Sequence, residues 1–204
     1  MPDDPGLQFG PLEPGTVHLC IDMQRLFAEG TPWHTPWLGR VLPKIVLLAE
    51  RAASDTIFTR FVPPTRPSQA RGAWRRYYER WRNVTGERID PSLLELVAPL
   101  QRLVPPAAVV DKTVYSAFRA PGLAALLAAR RCRGLVITGG ETDVCVLATA
   151  LDAVDRGYRV VLPIDGLCSS QDLTHDALIT LYRCRFGQQI ECTTIGEALE
   201  AWPR

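Results

Sequence analysis

The sequence predicts a single α/β domain: a doubly wound sheet of six mostly parallel strands with helices on both faces. Three observations carry this. Short apolar runs rich in β-branched residues alternate with longer stretches of helical pattern, the alternation occurs six times, and most of the runs close on charged residues or glycines. Alternation of this kind requires parallel strands joined by crossovers of one hand, and such sheets bind ligands outside the carboxyl ends of their strands.

Taken in order, residues 1–15 hold four prolines and three glycines and read as an N-terminal tail, leaving residues 16–204 as the domain. Strands are expected at 17–22, 56–61, 108–112, 134–139, 159–165 and 189–195. Helical patterns fill 38–53, part of 74–83, 91–102, 121–130, 144–156, 172–186 and 196–201. Gly157 is placed to end the helix before it. Trp74, Tyr77, Tyr78 and Trp81 fall at i, i+3, i+4 and i+7, one face of a helix.

Composition narrows the function. With 47% apolar and 22% charged residues over 204 positions, the chain has enough apolar matter for a full core, which excludes disorder and a small stapled scaffold. A net charge of +1 gives no global field for nucleic acid or an anionic membrane, so neither is an expected partner. No apolar run approaches the roughly 18 residues that span a bilayer, and the first residues lack a leader pattern. Six scattered cysteines without a CxxC pair read as reduced thiols in a cytoplasmic protein.

The strand ends supply the chemistry. The first run closes on Asp22, the third on Asp111-Lys112, and the fourth on Gly139-Gly140-Glu141-Thr142-Asp143, which leads into a helix with Cys145 in its first turn. Free N–H groups and the positive dipole end there favour a thiolate, so Cys145 is a candidate nucleophile with a lowered pKa, capped by Thr142 or Asp143. No histidine sits well as its base. A partly desolvated carboxylate at a strand end does, and Asp22 takes that role. Lys112 is one of only two lysines among 23 basic residues, so an ammonium at this strand end stands out against an arginine background.

Asp22-Met-Gln-Arg-Leu-Phe27, Lys112-Thr-Val-Tyr-Ser116-Ala-Phe118, and Gly140-Glu-Thr-Asp-Val-Cys145-Val with the following Ala148-Thr149 and Asp152-Ala153 stand in order along nearly the whole chain. Together they resemble the isochorismatase-like cysteine hydrolases. The resemblance implies an isochorismatase-like, Rossmann-like fold, a triad at Asp22, Lys112 and Cys145, a cis peptide at Gly140–Glu141, and an oxyanion hole from the N–H groups of Glu141 and Cys145. It further implies acyl transfer: hydrolysis of a C–N bond in a small carboxamide or ureido compound through a thioester. A homodimer or homotetramer is expected, without an organic cofactor.

Candidate pocket residues are Gln24, Phe27, Arg60, Trp74, Tyr78, Tyr115 and Phe118. Some relatives, the nicotinamidases, hold zinc through an aspartate and histidines after the second strand. Here that stretch reads Thr59-Arg-Phe-Val-Pro-Pro64, so no metal is expected. Residues 60–88 carry eight arginines against Glu79 and Glu87, and this insert either packs its aromatic face on the domain or a neighbouring subunit, or covers the pocket, with Arg60, Arg75 or an aromatic meeting the substrate. Two alternatives stay open: a non-catalytic binder of a ligand or partner on the same fold, and vinyl-ether hydrolysis of the isochorismate kind.

Overall fold

The computed structural model describes residues 6–203. Its strands are β1 (Thr16–Ile21), β2 (Thr56–Phe61), β3 (Ala108–Lys112), β4 (Gly134–Gly140), β5 (Arg159–Pro163), β6 (Leu167–Cys168) and β7 (Ile190–Thr193). The sheet runs β3-β2-β1-β4-β5-β7, and the two-residue β6 pairs with the end of β4. Every strand pair is parallel. The helices are α1 (Arg25–Ala28), α2 (Leu38–Arg51), α3 (Ala73–Arg80), α4 (Ala98–Gln101), α5 (Leu123–Ala129), α6 (Leu147–Asp155), α7 (Asp172–Arg185) and α8 (Ile195–Ala201).

The two-residue period of β1 divides its side chains between the two faces. Val17, Leu19 and Ile21 join residues of α5, α6 and α7 in one core. On the opposite face Cys20 and Phe58 pack with Leu38, Val41 and Ile45 of α2 and Leu100 of α4. Farther along that face Val136 and Val161 meet Leu48, Ile195 and Ala198. Covered on both sides, β1 is buried at every position, as a central parallel strand must be.

Glycine settles how closely β1 and β4 approach at the end that matters. Gly139 pairs with Ile21 and has φ +100°, and a Cβ there would lie 2.1 Å from the Ile21 carbonyl oxygen. Only glycine combines that dihedral with that contact. The close approach brings the residues after β1 beside those after β4.

The expected tail is described in part, and one expected helix needs correction. Residues 1–5 lie outside the described residues, but the rest of the expected tail is laid on the domain. Leu12 is buried with Leu48 and Trp202, and Arg159 donates to the Gly10 and Pro11 carbonyls. Residues 91–102 are not one helix: a 3-10 turn at Pro91–Leu94 is followed by extended chain and then the short α4. The Arg25 N–H bonds to the Glu95 carbonyl, the Val97 N–H bonds to the Met23 carbonyl, and Gln24 bridges Leu96. This pairing with the loop after β1 overrides the helical pattern, and Pro99 suits only the start of the helix that resumes.

Candidate active site

The ends of β1, β3 and β4 deliver Asp22, Lys112 and Cys145 to one point. Lys112 Nζ lies 2.7 Å from Asp22 Oδ2 and 3.3 Å from Cys145 Sγ, and it donates to the Val114 carbonyl at 3.2 Å. β3 is two strands away from β1, so only a long side chain could bridge them. The Lys112 stem does so across β2, with its ammonium 4.7 Å from the Phe61 ring centroid.

Asp22 sits at φ +50°, an uncommon conformation for a residue other than glycine and one that clusters at functional sites. Thr59 of β2 holds it from two directions. The Thr59 hydroxyl donates to Asp22 Oδ1 at 2.5 Å, and the Asp22 N–H donates to the same hydroxyl oxygen at 3.1 Å. Oδ2 is ion-paired with Lys112 at 2.7 Å. A carboxylate oxygen carries two lone pairs, so one contact with Lys112 leaves Oδ2 able to receive a proton.

Cys145 lies in a single π-helical turn, Thr142–Val146, ahead of α6. The Val144 and Val146 N–H groups both bond to the Glu141 carbonyl, and the Gly140–Glu141 peptide is cis. Neither Thr142 nor Asp143 caps this turn. The Thr142 hydroxyl donates to the Cys168 carbonyl and contacts His175 Nδ1, while Asp143 accepts from Ser169 and Thr174, tying the turn to the loop before α7.

The expected low thiol pKa is also corrected. Burial pushes Cys145 far above the ordinary thiol range and the Asp22 charge adds to this, with Lys112 opposing. Desolvation of the thiolate outweighs the helix start. Burial works against the Lys112 charge too, but Asp22 and Cys145 reverse it, and its pKa is raised overall. The resting site is thus a thiol beside an ammonium–carboxylate pair.

Motif residues near the triad lock its parts together. Ser116 donates to Asp152, and the Ala117 N–H donates to Thr149, whose hydroxyl donates to the Cys145 carbonyl. The loop carrying Lys112 is thereby docked on the helix that follows Cys145.

Cys145 opens into a cleft of about 430 Å³ walled by Phe27, Trp33, Phe61, Tyr77, Trp81 and Tyr115, with His34, Glu141, Ser170 and Gln171 as its polar lining. Of the candidate pocket residues, Phe27 and Tyr115 line it. Gln24 is instead fully buried, its amide bonded to the Phe61 backbone and the Leu94 carbonyl. Arg60 turns away to Asp111 and Glu95. Trp74 lines a neighbouring depression, Tyr78 is core, and Phe118 stacks on Tyr158. The aromatic face of α3 therefore divides: Trp74 and Tyr78 pack on the domain, and Tyr77 and Trp81 join the cleft wall around Trp33. Arg75 bonds to the Ala70 and Ser68 carbonyls and does not reach the cleft.

Sequence reasoning missed Thr59, Trp33, Tyr77 and Trp81. Helical spacing flagged the last two but could not rank them within their face, and nothing in the pattern marked Thr59. Residues 59–64, at and just after the end of β2, include no imidazole or carboxylate, and among the described residues there is no cluster of three or more His, Cys, Asp or Glu that could hold a cation.

The model of the isochorismatase domain family matches residues 16–194. The isochorismatase family protein PncA of Bacillus subtilis (strain 168) is 33% identical over 81 residues, which is 40% of this chain but only 44% of that relative. Maleamate amidohydrolase of Pseudomonas putida is 26% identical over 178 residues, covering 84% of this chain and 81% of its own. Among solved structures, a cysteine hydrolase from Pseudomonas syringae pv. phaseolicola 1448A superposes with a TM-score of 0.77 at 26% identity, over 94% of each chain.

Proposed function

The chain belongs to the isochorismatase family, and from that premise we propose that it is a cysteine amidohydrolase cleaving the C–N bond of a small carboxamide or ureido compound. The observation that carries this reading is the meeting of Asp22, Lys112 and Cys145 in direct contact at the inner end of a cleft. The relative named for maleamate amidohydrolysis supports the reaction class.

Asp22 takes the thiol proton as Cys145 Sγ bonds to the carbonyl carbon. The carbonyl electron pair moves to oxygen and rests on the N–H groups of Glu141 and Cys145. Asp22 passes its proton to the leaving nitrogen, the C–N bond breaks, and ammonia or an amine departs from the thioester. Water then gives a proton to Asp22 and attacks, the C–S bond breaks, and Sγ recovers the proton. Lys112 stays charged throughout and remains paired with Asp22. Burial raises the Cys145 pKa, which favours transfer of the proton to Asp22 as the sulfur attacks.

A panel of small amides assayed for ammonia release tests this, with mass spectrometry of the quenched protein. Wild type should release ammonia and show an acyl adduct on Cys145, and Cys145→Ala should show neither. Turnover retained by Cys145→Ala would overturn the reading.

A further inference from the structure

We infer that the cleft admits amides whose acyl group is flat, apolar and free of negative charge, and rejects carboxylate-bearing ones. The inference rests on the amidohydrolase reading and deepens it. Six aromatic side chains form the wall, and Trp33 is their hub: its ring centroid lies 5.9 Å from those of Phe61 and Tyr77 and 6.4 Å from that of Trp81. Interlocked rings make a rigid apolar surface that rewards flat partners.

Charge makes the selection. No lysine or arginine is among the lining residues, and the one carboxylate among them is Glu141. Its Oε1 accepts from the Ser170 N–H at 2.8 Å, which fixes the carboxylate in the loop that borders the cleft. The nearest ammonium, Lys112, is enclosed and spent on Asp22, Cys145 and Val114. Arg60 is paired elsewhere, and Arg75, Arg82 and Arg88 border a separate depression with Glu79 and Glu87. Burial raises the pKa of Tyr77 and Tyr115, so both face the cleft as neutral hydroxyls. His34 is the remaining ionisable lining group. An anionic acyl group would lose its hydration against aromatic rings, beside a like charge and with no lysine or arginine among the lining residues to pair with it; Arg80 stands over the Trp81 ring and Arg119 borders the neighbouring depression, and neither lines the cleft.

A matched series tests this at pH 8: benzamide, 4-(aminomethyl)benzamide and 4-carbamoylbenzoate, with maleamate as a small anionic probe. Turnover is read by ammonia release, and binding to Cys145→Ala by quenching of tryptophan fluorescence, since Trp33 and Trp81 line the cleft. The two non-anionic amides should agree within about tenfold in kcat/KM, and the carboxylate should fall about 100-fold or more below them. Glu141→Gln should narrow that gap. Cys145-dependent turnover of 4-carbamoylbenzoate or maleamate at or above the rate for benzamide would overturn the inference and leave the amidohydrolase reading standing. Binding in the expected order with no turnover of any amide would sink the amidohydrolase reading and leave the selectivity intact. Absence of both binding and turnover would overturn the inference.

Discussion

His18 of β1, four residues before Asp22, should make the fold acid-sensitive. It is fully buried between two threonines, with Nδ1 3.1 Å from Thr56 Oγ1 and Nε2 2.8 Å from Thr138 Oγ1. The Thr56 hydroxyl already donates to the Ala52 carbonyl. Nδ1 must therefore be the donor to Thr56, leaving Nε2 to accept from Thr138, and the two contacts suit the neutral ring. Burial pushes the pKa down from 6.5 to about 3. The unfolded chain thus binds a proton that the folded chain refuses, so this contribution is intact above about pH 6.5 and declines as pH falls from there toward 3. The loss works out at about 2 kcal/mol between pH 7 and 5 and about 3 kcal/mol by pH 4. Urea unfolding of wild type and His18→Gln across this range checks it. The variant should be less stable at pH 7 but should lose about 2 kcal/mol less between pH 7 and 5. Equal acid slopes for the two proteins would refute the reasoning.

Three further outcomes are expected. Lys112→Met strands the buried Asp22 carboxylate and should cost about 3–5 kcal/mol of unfolding free energy, much of it regained in the Asp22→Asn/Lys112→Met double variant; a purely additive double variant would show that the pair is uncoupled. Thr59→Val removes the hydroxyl that holds Asp22 from two sides and should lower kcat on any amide substrate by roughly tenfold or more with KM little changed, whereas a matching rise in KM would point to cleft damage. Gly139→Ala places a methyl against the Ile21 carbonyl at a dihedral alanine resists, so thermal denaturation should show a loss of about 3 kcal/mol or more, with a well-folded variant counting against the β1–β4 geometry.

The sheet was legible because parallel strands buried on both faces need continuous β-branched runs; β2 and β3 end where those runs end, and β1 ends one residue before its run does. The meeting of three groups was legible for a related reason: in a doubly wound sheet the carboxyl ends converge, so Asp22, Lys112 and Cys145 could be expected near one another as strand-end residues, while their grouping as a triad came from the family resemblance. The cleft wall was not. Gln24 and Arg60 are polar residues beside the site, and only their hydrogen-bond partners reveal that both are committed to the scaffold.

Spacing along the chain therefore determined the fold class, the order of its strands' chemistry and the helical face of α3. Contacts between distant segments decided the rest. They chose which of the four rings of that face meet the cleft, drew residues 95–97 into extended chain beside the loop after β1, and buried Cys145 deeply enough to hold it as a thiol. Periodicity encodes which side of an element turns inward. Desolvation and pairing are properties of what the other elements bring to that side, and they exist only once the chain has closed on itself.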